Sequence, residues 1–203
     1  ARDKLADYID VFCETGFFSK DETIRICKAG MALGLKPKIH ANQLNLSGGT
    51  EAGVELGALS VDHLETMDAD TIRLLAGSST IGTLLPTAAY FLRMPFQPAR
   101  QLIDAGCAIA IATDYNPGSS PSGNMNLVAS MSCIQLKMLP EEVINAATIN
   151  GAFAMEVQDK TGSIRIGKKA NLIFTKPAPN LAYLFYAFGA NHIDKVMLNG
   201  KII

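Results

Sequence analysis

The sequence has no surplus of charge of either sign: 18 Lys and Arg stand against 19 Asp and Glu over 203 residues, a formal net charge of −1. That balance gives no support to nucleic acid or an acidic membrane surface as the main partner. A membrane-spanning run is missing too. The longest uncharged apolar stretch, Leu74 to Leu92, is interrupted by Gly77, Ser78, Ser79, Thr80, Gly82, Thr83, Pro86 and Thr87. It reads as a turn, a strand and a loop. Paired cysteines are absent: Cys13, Cys27, Cys107 and Cys133 lie far apart with no Cys-x-x-Cys, three of them in apolar stretches. Buried thiols in a reduced, cytoplasmic compartment are the expectation. The start, Ala1-Arg2-Asp3-Lys4-Leu5, has neither the apolar core of a signal peptide nor an initiator Met, so the chain is expected to be cut from a longer one.

What is present is a core-forming composition. The hydrophobic fraction of 48% excludes disorder and suits one sizeable domain, or two small ones. Two periodicities alternate along it. Strand-like runs at Tyr8–Cys13, Lys36–His40, Ala58–His63, Thr80–Leu85 and Cys107–Thr113 are separated by helix-like stretches at Lys20–Leu33, Gly49–Leu56, Asp68–Ala76 and Gln97–Ala105. Ser19 with Glu22 three residues on predicts a capping box, and Gly34 a helix stop. This rhythm predicts βαβ units and a parallel sheet. From Pro121 the pattern becomes helical, over Asn126–Leu136 and Pro140–Ala154. After Gly162 it turns to β-structure with turns over Ser163–Phe174 and Ile193–Ile203, with Asn199-Gly200 as a hairpin signal.

In parallel α/β folds the chemistry gathers at the carboxyl ends of the strands. Here those positions hold Glu14, His40, His63, the Pro86-Thr87 loop and Asp114. His40 and His63 are two of only 3 histidines in the chain. Asp114 ends the most apolar strand, where an unpaired carboxylate would be costly. Two imidazoles and a carboxylate at one rim suit a Zn2+ or Fe2+ site, or an acid–base site around one. Taken singly, each residue has a plainer alternative: a histidine bonded to a backbone carbonyl, an aspartate capping the next helix. The loop that follows, Tyr115-Asn116-Pro117-Gly118-Ser119-Ser120-Pro121, offers neutral donors able to hold a carboxylate, and is equally compatible with an ordinary Asn-Pro-Gly turn.

Three segments taken together, Lys38-Ile39-His40-Ala41-Asn42-Gln43, Leu59-Ser60-Val61-Asp62-His63-Leu64-Glu65 and Ala112-Thr113-Asp114-Tyr115-Asn116-Pro117-Gly118-Ser119, resemble the imidazolonepropionase family of the amidohydrolase superfamily. Asp10–Glu14, Gly167–Ile173 and Tyr186–His192 extend the resemblance over the whole chain, and the Thr-Asp-Tyr-Asn-Pro-Gly-Ser loop is its most specific piece. The resemblance implies an α/β fold, a (β/α)8 barrel with a composite β-sandwich. Residues 1–160 would carry about strands four to eight of the barrel, and residues 161–203 the last strands of the sandwich. It implies one Zn2+ or Fe3+ ion held by an H-x-H pair on the first strand, a His on the fifth and an Asp on the eighth. By motif those last two are His40 and Asp114. His63 would hydrogen-bond the carbonyl or the attacking water and stabilise the oxyanion, with Asp114 as the general base. Gln43 would lie beside the substrate ring, and Asn116, Gly118 and Ser119 would bind its propionate.

The reaction so implied is hydrolysis of the cyclic amide of 4-imidazolone-5-propanoate to N-formimidoyl-L-glutamate, in histidine degradation. The complete enzyme would be a cytoplasmic homodimer with a small-molecule substrate and neither nucleic acid nor membrane as partner. One departure is large: the chain contains no H-x-H. Five strands before the terminal module match the second part of a barrel that typically takes ~250 residues. The chain is therefore expected to be a carboxyl-terminal portion, inactive alone. Two alternatives stand beside this: another amidohydrolase acting on a nucleobase-like ring, and a metal-free α/β binding module.

Overall fold

In a computed structural model of the chain, residues 5–203 are described. The first four residues, on which part of the leader reading rests, lie outside them. Strands β1 (Tyr8–Cys13), β2 (Lys36–Ala41), β3 (Ser60–His63), β4 (Ile81–Leu84) and β5 (Ile109–Ile111) form one sheet whose spatial order is the chain order. Every neighbouring pair is parallel. Parallel neighbours cannot be joined by tight turns, so each connection crosses over through helix. These are α1 (Lys20–Met31), α2 (Gly49–Glu55), α3 (Ala69–Ala76) and, between β4 and β5, α4 (Pro86–Leu92) and α5 (Ala99–Asp104).

Local chemistry sets the crossovers. The Ser19 hydroxyl accepts from the Glu22 N–H while the Glu22 carboxylate accepts from the Ser19 N–H at 2.9 Å, the predicted capping box. Gly34, at φ 85°, supplies the left-handed residue that lets the chain leave α1. Asp68 caps α3 by accepting from the Thr71 N–H at 2.8 Å.

Period-two alternation divides the sheet into two faces. Val11, Ile39 and Val61 are buried against a helix layer that contributes Cys27, Ala52, Ile72 and Leu75. Burial of each large aliphatic side chain is worth about 1.5–3 kcal/mol. Phe12, Lys38, His40 and Asp62 lie on the other face and are only half-buried, with Asp10 exposed beside them. Helix α2 sits so close to β3 that a Cβ on Gly53 would lie 2.3 Å from Val61 Cγ1. Only glycine permits that approach.

Beyond β5 come α6 (Met125–Ile134), α7 (Pro140–Asn145) and α8 (Gly151–Ala154). The helix expected over Pro140–Ala154 is present, with a π-helical turn at Ala146–Asn150. There Asn150 Nδ2 donates to the Ile109 carbonyl of β5 at 2.7 Å, tying the widened turn to the sheet. The chain closes with β6 (Leu172–Thr175), α9 (Leu181–Tyr186), β7 (Ile193–Leu198) and β8 (Lys201–Ile202), the strands forming a separate antiparallel sheet. Asn199 and Gly200, at φ 48° and 81°, make the hairpin turn.

Three expectations need correction. Pro86 and Thr87 are not loop but the first turn of α4, where proline's fixed φ suits the first helical position. Ser163–Phe174 holds less β-structure than expected: it is irregular with a turn at Ile166 and Gly167, and strand only from Leu172. Helix α9, capped by Asn180 accepting from the Tyr183 N–H at 3.0 Å, lies where no helix was expected. No helix among the described residues is long and apolar enough to cross a membrane. All four cysteines are free, and burial pushes the Cys27 and Cys133 thiols up to about 11, which leaves them unreactive near neutral pH.

Candidate active site

At the carboxyl edge of the sheet, His40 from β2, His63 from β3 and Asp114 from the segment after β5 come together. Their ligand-capable atoms all lie within 4.8 Å of one another, the one such group of His, Cys, Asp and Glu among the described residues. The two imidazole rings stand 5.2 Å apart, centroid to centroid. All three residues line a cavity of about 240 Å³, together with Gln43, Asn116 and Ser119. Phe12 and Leu92 complete its wall.

Backbone conformation, as much as strand position, makes this convergence. Val61 points into the helix layer, and continued alternation would send His63 there too. Instead His63 has φ 87° and Leu64 φ 66°, a left-handed break at the end of β3 that brings the ring to the rim. Asp114, at φ 51°, and Asn42, at φ 54°, make the same break on their own segments. Such conformations are costly for residues other than glycine and cluster where function requires them.

Each of the three faces a polar neighbour. His40 Nδ1 lies 2.9 Å from an Asp10 carboxylate oxygen. That hydrogen bond raises the His40 pKa against the opposing effect of burial, with the charges of Asp10, Asp62 and Asp114 acting in the same direction as the bond. His63 is buried, and its Nδ1 faces Glu65 Oε1 at 3.5 Å. Ser119 Oγ donates to Asp114 Oδ2 at 3.2 Å.

The loop after Asp114 is organised around Asn116. Its Oδ1 accepts from the N–H groups of Gly118 and Ser119, both at 2.8 Å. Its Nδ2 donates to the Asp114 carbonyl and to Ser119 Oγ, both at 2.7 Å. Ser120 Oγ and Thr87 Oγ1 both donate to the Thr113 carbonyl, at 2.6 and 2.9 Å. Gly118 itself does not line the cavity; its N–H is engaged by Asn116.

Glu14, the remaining strand-end candidate, does not join the cluster. Its carboxylate accepts from the Thr15 and Leu44 N–H groups at 2.7 and 2.8 Å and from Asn45 Nδ2 at 3.0 Å. This clamps the end of β1 to the loop after β2. Burial would raise its pKa, but these bonds together outweigh it and hold the carboxyl below its ordinary value. Asp10, Glu65 and Gln97 were not singled out as site residues. Gln97 is distant in sequence, and its contact with Glu65, at 2.8 Å, spans 32 positions.

Two imidazoles and a carboxylate whose ligand-capable atoms lie within 4.8 Å of one another are donor types that suit Zn2+ or a similar divalent or trivalent ion. The site therefore combines a cation-competent cluster, a carboxylate able to move a proton, and a neighbouring loop whose polar groups are bonded to one another and to Asp114.

Comparison with known proteins places the chain in a family. The amidohydrolase family model matches residues 17–203. An imidazolonepropionase from Flavobacterium johnsoniae is 56% identical over 203 residues, covering 100% of this chain and 49% of that protein. One from Fusobacterium nucleatum is 46% identical, covering 98% and 48%. The chain spans about half the length of the curated relatives it matches. Among solved structures, a zinc-bound adenosine deaminase from Xanthomonas campestris superposes with a TM-score of 0.78 at 21% identity, covering 96% of this chain and 51% of that one. A Xaa-Pro dipeptidase with bound methionine gives 0.78 at 20%, covering 100% and 55%. These likenesses identify the parallel sheet and its helices as part of a TIM-barrel hydrolase fold.

Proposed function

The chain belongs to the amidohydrolase family, and from that premise we propose that the protein carrying it opens the cyclic amide of 4-imidazolone-5-propanoate, yielding N-formimidoyl-L-glutamate in histidine degradation. The observation that carries this reading is the convergence of His40, His63 and Asp114 on one cavity. Relatives named for that activity, 46–56% identical, support the choice of substrate. So does the Asn116–Ser119 loop, whose neutral donors suit an anionic tail better than a nucleobase.

In this reading His40 and Asp114 hold a single Zn2+ or Fe3+ ion, with further ligands from the part of the protein outside this chain. Such an ion, when bound, supplies Lewis acidity and makes water a competent nucleophile near neutral pH. The chain's own residues do the rest. Asp114 takes the proton of the attacking water at its carboxylate and returns it to the departing ring nitrogen. Ser119, donating to Asp114 Oδ2, aims that carboxylate. His63 hydrogen-bonds the carbonyl oxygen or the attacking water, according to which ring nitrogen carries the proton. Gln43 lies against the ring, and the loop ordered by Asn116 receives the propionate. Residues 1–160 act as the barrel part and residues 161–203 as the sandwich part. The complete protein is a cytoplasmic homodimer in this account.

The test is steady-state hydrolysis of imidazolone propionate by the complete protein, against adenine and cytosine as competitors. Turnover of the imidazolone alone supports the reading. Turnover of a nucleobase alone would replace it with an aminohydrolase.

A further inference from the structure

Beneath the cavity floor lies a polar group that the proposed reaction leaves unused. The Glu65 side chain is only 1% exposed, and that of His63 only 3%. Gln97 is equally enclosed, and its Nε2 donates to Glu65 Oε1 at 2.8 Å. The same oxygen stands 3.5 Å from His63 Nδ1, too long for a made hydrogen bond. His63 Nδ1, Glu65 Oε2 and Gln97 Oε1 have no hydrogen-bond partner among the described residues, and Nδ1 is the one possible donor of the three.

Buried polar atoms are nearly always satisfied, and the carboxylate oxygen that the structure places against His63 Nδ1 is Glu65 Oε1, at a distance that a small shift of either side chain would close. An Nδ1 bare of its proton would set a lone pair against a carboxylate oxygen, two acceptors in a buried site. A protonated Nδ1 gives donor and acceptor. Facing an ionised Glu65, only the second arrangement leaves the buried pair satisfied.

We infer that Glu65, anchored by Gln97, is a positioning residue that keeps the proton of His63 on Nδ1 and presents Nε2 to the cavity. In the neutral ring Nε2 is then an acceptor. This rests on the proposed hydrolytic reading and sharpens it: His63 receives a hydrogen bond from the attacking water and orients it, rather than donating to the carbonyl oxygen. The left-handed backbone at His63 and Leu64 serves this arrangement, because it places the ring between the cavity and Glu65.

The experiment is long-range proton–nitrogen spectroscopy of the complete protein with isotope-labelled histidine, the His63 signal being assigned by its loss in His63→Gln. Wild type is expected to show His63 protonated on Nδ1. Glu65→Gln, which keeps an oxygen in the same place, is expected to retain that pattern. Glu65→Ala is expected to move the proton to Nε2 and lower kcat about 10- to 100-fold, the usual cost of losing a partner behind a site histidine, with KM little changed. A His63 protonated on Nε2 in wild type overturns the inference. So does an unchanged tautomer in Glu65→Ala. If Glu65→Ala does not fold, the wild-type spectrum alone decides. Failure to hydrolyse imidazolone propionate would sink the proposed activity while leaving the tautomer measurement standing, so the two can fail separately.

Discussion

Replacing Asn116 by Ala tests how the loop after Asp114 grips the substrate. The Asn116 side chain makes four hydrogen bonds, to Gly118 N–H, Ser119 N–H, the Asp114 carbonyl and Ser119 Oγ. Alanine removes all four. The freed N–H groups lie near the surface, where water satisfies them, so the fold should survive. What is lost is the internal bonding that holds Asn116 and Ser119 at the cavity wall, where the propionate is proposed to lie. A hydrogen bond to a charged group is worth ~1.5–3 kcal/mol, which corresponds to about 10- to 150-fold in affinity. The loop grips a part of the substrate remote from the scissile bond, so the loss should fall on KM more than on kcat. Steady-state kinetics of Asn116→Ala and Asn116→Asp separate the contributions. Aspartate still accepts from Gly118 and Ser119 but sets a negative charge beside the propionate and an acceptor against the Asp114 carbonyl, so its KM should rise at least as far as that of alanine. An unchanged KM in Asn116→Ala would show that the carboxylate is held elsewhere. A fall confined to kcat would show that Asn116 acts through Asp114 alone.

Further outcomes follow from packing, charge and topology. Gly53→Ala should destabilise the protein by about 1–3 kcal/mol, because its Cβ would meet Val61 Cγ1 at 2.3 Å deep in the core. An unchanged urea midpoint would refute that close approach. Glu14 has a carboxyl held below its ordinary value, so the stability it contributes is complete above the unfolded carboxyl pKa of about 4.3 and disappears as pH falls through the folded value. Glu14→Gln should therefore lower stability at neutral pH, with the gap to wild type closing in acid. A gap independent of pH would contradict the clamp. Among the described residues strands β1 and β5 each pair with one neighbour only, so the 203-residue chain by itself should self-associate through those edges. Sedimentation showing a monodisperse, cooperatively unfolding 21.7 kDa species would argue instead for a self-sufficient module.

Much of this was legible in the sequence because the governing signals are local. Alternation along Tyr8–Cys13 and the Ser19–Glu22 box placed β1 and the start of α1 to the residue. The succession of strands placed the parallel sheet. Where reading failed, the local signal was ambiguous. Pro86 looks like a breaker, and only the finished turn shows it at the head of α4. Ser163–Asn171 alternates like a strand but has no neighbour to pair with. Strand-end position brought His40, His63 and Asp114 forward as candidates, and the structure gathers them. The left-handed turn that aims His63 leaves no pattern in the sequence. Glu14 carries the same strand-end signal yet faces a loop, since a strand end has two sides. Glu65 with Gln97 is a tertiary contact between residues with no common motif.

The central claim is that His40 and Asp114 serve a hydrolytic site for imidazolone propionate in the protein that carries this chain. Asp114→Asn tests it most directly, measured in the complete protein by turnover of imidazolone propionate alongside the bound-metal content and the unfolding midpoint. The account predicts a folded protein that has lost hydrolysis and much of its metal, because one substitution removes both a ligand and the proposed base. Turnover within about tenfold of wild type, a barrier change of only about 1.4 kcal/mol, would contradict it.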